Sequence, residues 1–223
     1  MANLLDRFNI TDEQLKKYEK YHELLSEKNK VMNLTAITDY EGVFIKHFYD
    51  SLLLTEITKD FDNLVDVGSG AGFPGMVLGI KDETKKITLL EPTTKRCKFL
   101  ETVKNELNLD NIFVINERAE NVKNKKFKYA TARAVAQINI LLELVIPLLE
   151  VHGLFFCLKG TNYQEELEKA EHAIIELNVE IKNIYHFELP NDLGKRVIIV
   201  FEKKKQTNPK YPRPYASILK KPL

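Results

Sequence analysis

Leu64-Val-Asp-Val-Gly-Ser-Gly-Ala-Gly-Phe-Pro-Gly75 is the stretch from which the rest of the chain can be placed. β-Branched Val65 and Val67 flank Asp66, as suits a buried strand, and glycines at 68, 70 and 72 then allow a turn that side chains would obstruct. Pro74 suits the first position of a helix, where its fixed φ fits and its missing N–H has no partner to lose. The stretch therefore predicts strand, glycine loop and helix N-terminus, with backbone N–H groups offered to a carboxylate or phosphate. A nucleoside held there needs an acid about 20 residues on, at the end of the next strand, for its ribose hydroxyls. Glu91 closes the predicted strand Ile87-Thr-Leu-Leu90 and meets that need.

Two ligand classes stay open on this pattern. Residues 70, 72 and 75 also satisfy Gly-x-Gly-x-x-Gly, so an NAD(P)- or FAD-dependent oxidoreductase is one reading. That register starts two residues late after Val67 and encloses Pro74. An adenosyl-methionine ligand needs no diphosphate cradle, and Asp66-Val-Gly-Ser-Gly70 suits it better.

Upstream, Thr11-Asp-Glu-Gln14 has the form of a capping box, and Leu15, Tyr18, His22 and Leu25 recur at helical spacing, predicting a helix to about Lys28. A second amphipathic helix begins at Asp39 and carries Val43, Phe44, His47, Phe48, Ser51 and Leu52. His47 and Asp50 share a face there and form a candidate pair, read first as a structural contact because no nucleophile accompanies them. Downstream, strands at 112–115, 127–132 and 153–158 alternate with helices at 95–107, 138–149 and from Asn162, the signature of a parallel sheet covered on both faces. Val179–Phe187 and Arg196–Phe201 read as a closing antiparallel hairpin. Residues 1–60 are expected as a helical cap, 61–205 as the ligand-binding domain and 206–223 as a basic tail, within one structural domain overall.

Of 223 residues, 44% are apolar, enough for one substantial core. The net charge of +1 hides an uneven distribution, since nine Lys or Arg and one acid lie between Lys195 and Leu223. Such a tail suits a phosphate backbone. Cys97 and Cys157 lack metal spacing and read as packed thiols, with no metal expected. No apolar run approaches the ~20 residues that cross a bilayer, which predicts a soluble cytoplasmic protein. Ligands of open sheets bind beyond the carboxyl ends of strands, where Asp66, Glu91, Arg118, Glu120, Arg133 and Lys159 collect.

Several separate motifs, in order, resemble one family. They are Asn33-Leu-Thr-Ala-Ile37, His47-Phe-Tyr-Asp-Ser-Leu52, the glycine stretch 66–75, Arg118-Ala-Glu120, Ala132-Arg-Ala134, Leu158-Lys-Gly160 and Lys210-Tyr-Pro-Arg213. Together they resemble the bacterial small-subunit ribosomal RNA guanine-N7 methyltransferases, also called glucose-inhibited division protein B. The resemblance implies a class I methyltransferase (Rossmann-like) α/β fold with a mostly parallel seven-stranded sheet and an N-terminal helical extension. It implies S-adenosyl-L-methionine as cofactor and, as substrate, the guanine at position 527 of 16S rRNA, in naked rRNA or the 30S subunit, for a protein acting as a monomer. Gly68, Gly70, Gly72, Phe73, Glu91, Ala119, Glu120 and Arg133 would border the cofactor. Lys95, Arg118, Arg133, Lys159 and Arg213 would meet RNA. No residue is expected to act as a catalytic base, because guanine N7 already has an in-plane lone pair; Arg133 and Lys159 are the candidates for positioning the base. A methyltransferase with another acceptor, and a non-catalytic RNA-binding module, are the further alternatives.

Overall fold

A computed structural model describes residues 2–58, 61–123 and 125–223. Seven strands form one sheet: β1 (Asn63–Val67), β2 (Lys86–Leu90), β3 (Ile112–Ile115), β4 (Phe127–Arg133), β5 (Leu149–Lys159), β6 (Val179–Glu188) and β7 (Lys195–Lys203). Their spatial order is β3-β2-β1-β4-β5-β7-β6, so the chain reverses direction in the sheet between β1 and β4. β1 to β5 pair in parallel, and β7 runs antiparallel to both β5 and β6. The closing hairpin predicted from sequence is present, with β7 inserted beside β5 and β6 left at the edge. The central strands are apolar on both faces because helices cover both.

Two hydrophobic clusters lie on the two faces. One joins the N-terminal helix Asp12–Met32 and the helical segment 40–57 to the helices Gly75–Lys81 and Thr94–Glu106, with Tyr18, Tyr21, Phe44, Phe48 and Phe99 buried. The other packs the helices Ile138–Val145 and Glu171–Glu176 and the C-terminal helix Tyr215–Lys220 on β4, β5 and β7. Thr11 caps the first helix in a complete capping box with Gln14. That helix runs to Met32, four residues past the expected end. Tyr18 and Tyr21 donate their hydroxyls to Val77 O and Ala71 O, which fastens the first helix to the glycine loop and the helix that follows it. Segment 40–57 opens on an Asp39 cap and contains a π-helical stretch, Phe44–Tyr49.

Three local expectations need correction. Pro74 precedes the helix as its N-cap, with φ −90° and ψ −10°, and Gly75 is the first helical residue. The helix N-terminus is not open to a ligand anion at Gly75, because the Asp66 carboxylate accepts that N–H at 3.0 Å. Asn162 stands at the cap of the helix Tyr163–Lys169 but makes no side-chain cap bond, and the helix breaks at Ala170 before Glu171–Glu176 begins.

Candidate functional site

Strand register builds the site. Val67 pairs with Leu90, so the residue after each strand, Gly68 and Glu91, meet at the carboxyl edge. Gly68 and Ser69 both donate their N–H groups to Leu90 O, which starts the loop. Gly68, Gly70 and Gly72 all have positive φ. At Gly70, φ is +60° and an added Cβ would find only Gly68 O, at 3.9 Å, so this glycine faces open space. At Gly72 a Cβ would meet the Tyr21 hydroxyl at 2.5 Å, so that glycine is required by packing behind the site.

The glycine loop borders a cavity of about 400 Å³ lined by residues from distant parts of the chain. Glu91, 1% exposed, is fixed on its floor by the N–H groups of Gly70 at 3.0 Å and Thr93 at 2.8 Å. Each of its oxygens accepts one of these bonds and retains capacity for another donor. Ala119 and half-buried Glu120 form another wall on the short turn after β3. Phe73 stacks on His47, with ring centroids 4.4 Å apart, and the Arg133 guanidinium lies 5.0 Å from the Phe73 centroid.

Arg133, the last residue of β4, separates this cavity from a second of about 550 Å³ at the ends of β4 and β5. Its Nη1 donates to Asp50 Oδ2 at 2.8 Å and Lys46 O at 3.0 Å, and its Nη2 to His47 Nδ1 at 3.0 Å. His47 and Asp50 therefore meet through Arg133, as a structural constellation and not as a catalytic dyad. His47 Nδ1 has a donor, Arg133 Nη2, at 3.0 Å and an acceptor, Lys46 O, at 3.1 Å. A guanidinium can only donate and Lys46 O already accepts from Arg133 Nη1, so Nδ1 is the accepting nitrogen and Nε2–H faces Thr35 Oγ1 at 2.8 Å. Burial, reinforced by Arg133, pushes His47 down to about 3, and its imidazole is neutral.

Of the sequence-predicted cofactor residues, Gly68, Gly70, Phe73, Glu91, Ala119, Glu120 and Arg133 come together in the first cavity, and Gly72 lies behind it. The predicted RNA-contacting cations are dispersed. Arg118 is exposed at the rim, 5.4 Å from the centroid of Tyr215. Lys95 is exposed outside either cavity. Lys159 has an 8% exposed side chain and donates to Ala136 O and Glu166 Oε2, both at 2.6 Å. Arg213 is bound to fully buried Glu143. Other cations of the tail turn inward too: Lys203 is 2% exposed and donates to Ile146 O and Leu149 O, and burial lowers it to about 8. The two thiols are buried, and burial pushes Cys97 up to about 11 and Cys157 up to about 12.

Sequence reasoning missed Tyr215, Leu34 and Thr35 in the first cavity and Glu166 in the second. A signal for the docked tail existed: Glu143 is the one acid within Ile138-Asn-Ile-Leu-Leu-Glu-Leu-Val145, and a buried acid requires a partner from elsewhere in the chain, here Arg213, two residues before Tyr215.

The model of the rRNA small subunit methyltransferase G family matches residues 14–195. Ribosomal RNA small subunit methyltransferase G of Carboxydothermus hydrogenoformans is 42% identical over 222 residues, covering 96% of this chain and 94% of that protein. The enzyme of the same name from Fusobacterium nucleatum is 43% identical over 223 residues, covering 97% and 95%. Among solved structures, an O-methyltransferase from Bacillus cereus in complex with SAH superposes with a TM-score of 0.59 at 16% identity, covering 90% of this chain and 96% of that one. A methyltransferase from Pyrococcus furiosus gives 0.60 at 12% identity, covering 84% and 99%. These two likenesses establish a Rossmann-like methyltransferase fold, as the sequence motifs implied. With a family model spanning most of its length and relatives above 40% identity from end to end, this chain belongs to the rRNA small subunit methyltransferase G family.

Proposed function

We propose that this chain transfers a methyl group from S-adenosyl-L-methionine to N7 of a guanine in small-subunit rRNA, acting as a monomer in the cytoplasm. The observation that carries the reading is the pair of adjoining cavities at one sheet edge, parted by Arg133, with the buried Glu91 on the floor of the first. The donor set fits the cofactor. Glu91 would take ribose hydroxyls on its unused lone pairs, Gly68, Gly70 and Phe73 would border the methionine end, and Ala119 and Glu120 would bracket the adenine.

When bound, the cofactor supplies a methyl group on a cationic sulfur. The protein's part is placement. N7 attacks with a lone pair it already has, so no side chain has to take a proton first. His47 agrees with this, since its one accepting nitrogen is occupied by Arg133. Arg133 cannot swing freely because Asp50, His47 and the Lys46 carbonyl hold its guanidinium, and a fixed side chain on the boundary that both cavities share favours one line of approach. Exposed Arg118 and Lys95 are available to phosphates beyond the rim.

The test uses small subunits, and separately their naked RNA, from cells lacking this protein, incubated with purified enzyme and methyl-labelled S-adenosyl-L-methionine. Digestion and mass spectrometry should find one new 7-methylguanosine. Cofactor binding without that product would point to another methyl acceptor. Neither binding nor product would restore the dinucleotide reading.

A further inference from the structure

The second cavity contains a carboxylate with no part in the proposal above. Glu166 lies in the first turn of the helix Tyr163–Lys169 and lines this cavity together with Arg133, with its side chain 24% exposed. Its Oε2 is fully engaged by the Lys159 ammonium at 2.6 Å and the Ile138 N–H at 3.0 Å. Among the described residues no donor meets Oε1. Lys159 is in turn pinned by Ala136 O, so the carboxylate is held in one orientation from one side and left available on the other. Around it the wall carries Lys46, Arg133, Lys159 and Arg196 against Asp50 and Glu166, an excess of cations suited to a nucleotide phosphate.

We propose that Glu166 reads the methyl-accepting guanine, taking the N1–H and 2-amino donors of its Watson–Crick edge on Oε1. This rests on the methyltransferase reading and names the group that selects the base. Guanine presents two adjacent donors on that edge. Adenine presents an acceptor at N1 and has no 2-amino group, so a fixed carboxylate accepts the first base and repels the second. The edge bearing N7 is then free to face Arg133 and the neighbouring cavity.

The same contact helps the reaction. As N7 forms the new N–C bond, the C–S bond breaks and its electron pair stays on sulfur. The positive charge passes to the purine, no proton is lost, and N1–H becomes more acidic. A carboxylate on N1–H therefore binds the product-like purine more strongly than the starting one, which lowers the barrier and does more than tighten binding.

The test pairs a change in the enzyme with a change in the substrate. Small subunits are reconstituted with guanine or with inosine at the target position; inosine lacks only the 2-amino group. With the native chain, inosine should lower kcat/KM by about tenfold or more, the scale of one hydrogen bond to a charged group. Glu166→Gln should lower kcat/KM on guanine by more than it does on inosine, because one of the two partners is already missing there. A merely structural role, through Lys159 and the Ile138 N–H, would give equal losses on both substrates and overturn the proposal. Equal rates of the native chain on guanine and inosine would overturn it without any variant. No methylation of either substrate by the native chain would instead overturn the guanine-acceptor reading on which it stands.

Discussion

Arg213 grips Glu143 at both ends, with Nε 2.7 Å from Oε1 and Nη2 2.5 Å from Oε2, and its backbone N–H adds a third bond at 3.0 Å. Glu143 is fully buried and Arg213 a quarter exposed. The clasp fixes the tail where Tyr215, two residues on, enters the first cavity. Arg213→Ala would strand a buried carboxylate, costing about 3 kcal/mol, the low end for such a loss because Arg213 is not itself buried. The expected result is a lower midpoint in urea unfolding together with weaker cofactor binding by calorimetry.

Gly70 and Gly72 should fail in different ways. Gly70→Val forces a β-branched residue to φ +60° and directs its bulk into open cavity, so cofactor affinity should fall while the chain still folds. Gly72→Ala meets Tyr21 Oη, Met76 and Leu100, so stability should fall first. Calorimetric affinity and urea unfolding of both variants separate the two outcomes; unchanged affinity in Gly70→Val would remove that residue from the site.

Glu91→Gln replaces an acceptor by an amide that presents its NH2 to one of two backbone donors, Gly70 N–H or Thr93 N–H. Cofactor affinity should drop by about tenfold or more, the scale of a lost charged hydrogen bond. Equilibrium dialysis with labelled cofactor measures it, and native-like affinity would exclude Glu91 as a ribose ligand.

Two buried groups give opposite pH signatures. Burial pushes Asp66 up to about 7, although the Gly75 N–H opposes this. Its unfolded value is about 3.9, so its contribution to stability is full below that pH and is lost as pH rises through about 7. The stability of Asp66→Asn relative to the native chain should therefore increase between pH 5 and pH 8. His47, lowered to about 3 from an unfolded value of about 6.5, contributes stability that is present above about pH 6.5 and lost as pH falls toward 3. Urea unfolding of Asp66→Asn and His47→Gln across this range isolates each contribution, and parallel pH curves for variant and native chain would refute either assignment.

The strand positions, the glycine loop and Glu91 were legible because each depends on a local pattern: β-branched runs, glycines at a turn, an acid at a strand end. The roles of cations were not. Counting Lys203, Lys210 and Arg213 as an open basic tail ignores where they turn. Lys203 is buried under the turn before β5, Lys210 pairs with Glu176 at 2.8 Å and Arg213 with Glu143. Charge spacing carries no information about partners about 35 or 70 residues away. His47 and Asp50 share a helical face, as their spacing requires, but the residue that joins them comes from the end of β4. The local rule puts Pro74 one residue too far into its helix because it cannot see that Asp66 already serves the N–H of Gly75.

The first cavity draws on Leu34 and Thr35 before the sheet, the loops after β1 to β4 within it, and Tyr215 after its last strand. Its walls are therefore complete only when early and late parts of the chain have both docked. A molecule still emerging during synthesis, with β1 and β2 already paired, would have Glu91 and the glycine loop but neither the clasp nor Tyr215. A ligand that binds this cavity therefore stabilises the docked arrangement of early and late segments together, and favours finished molecules over partly assembled ones.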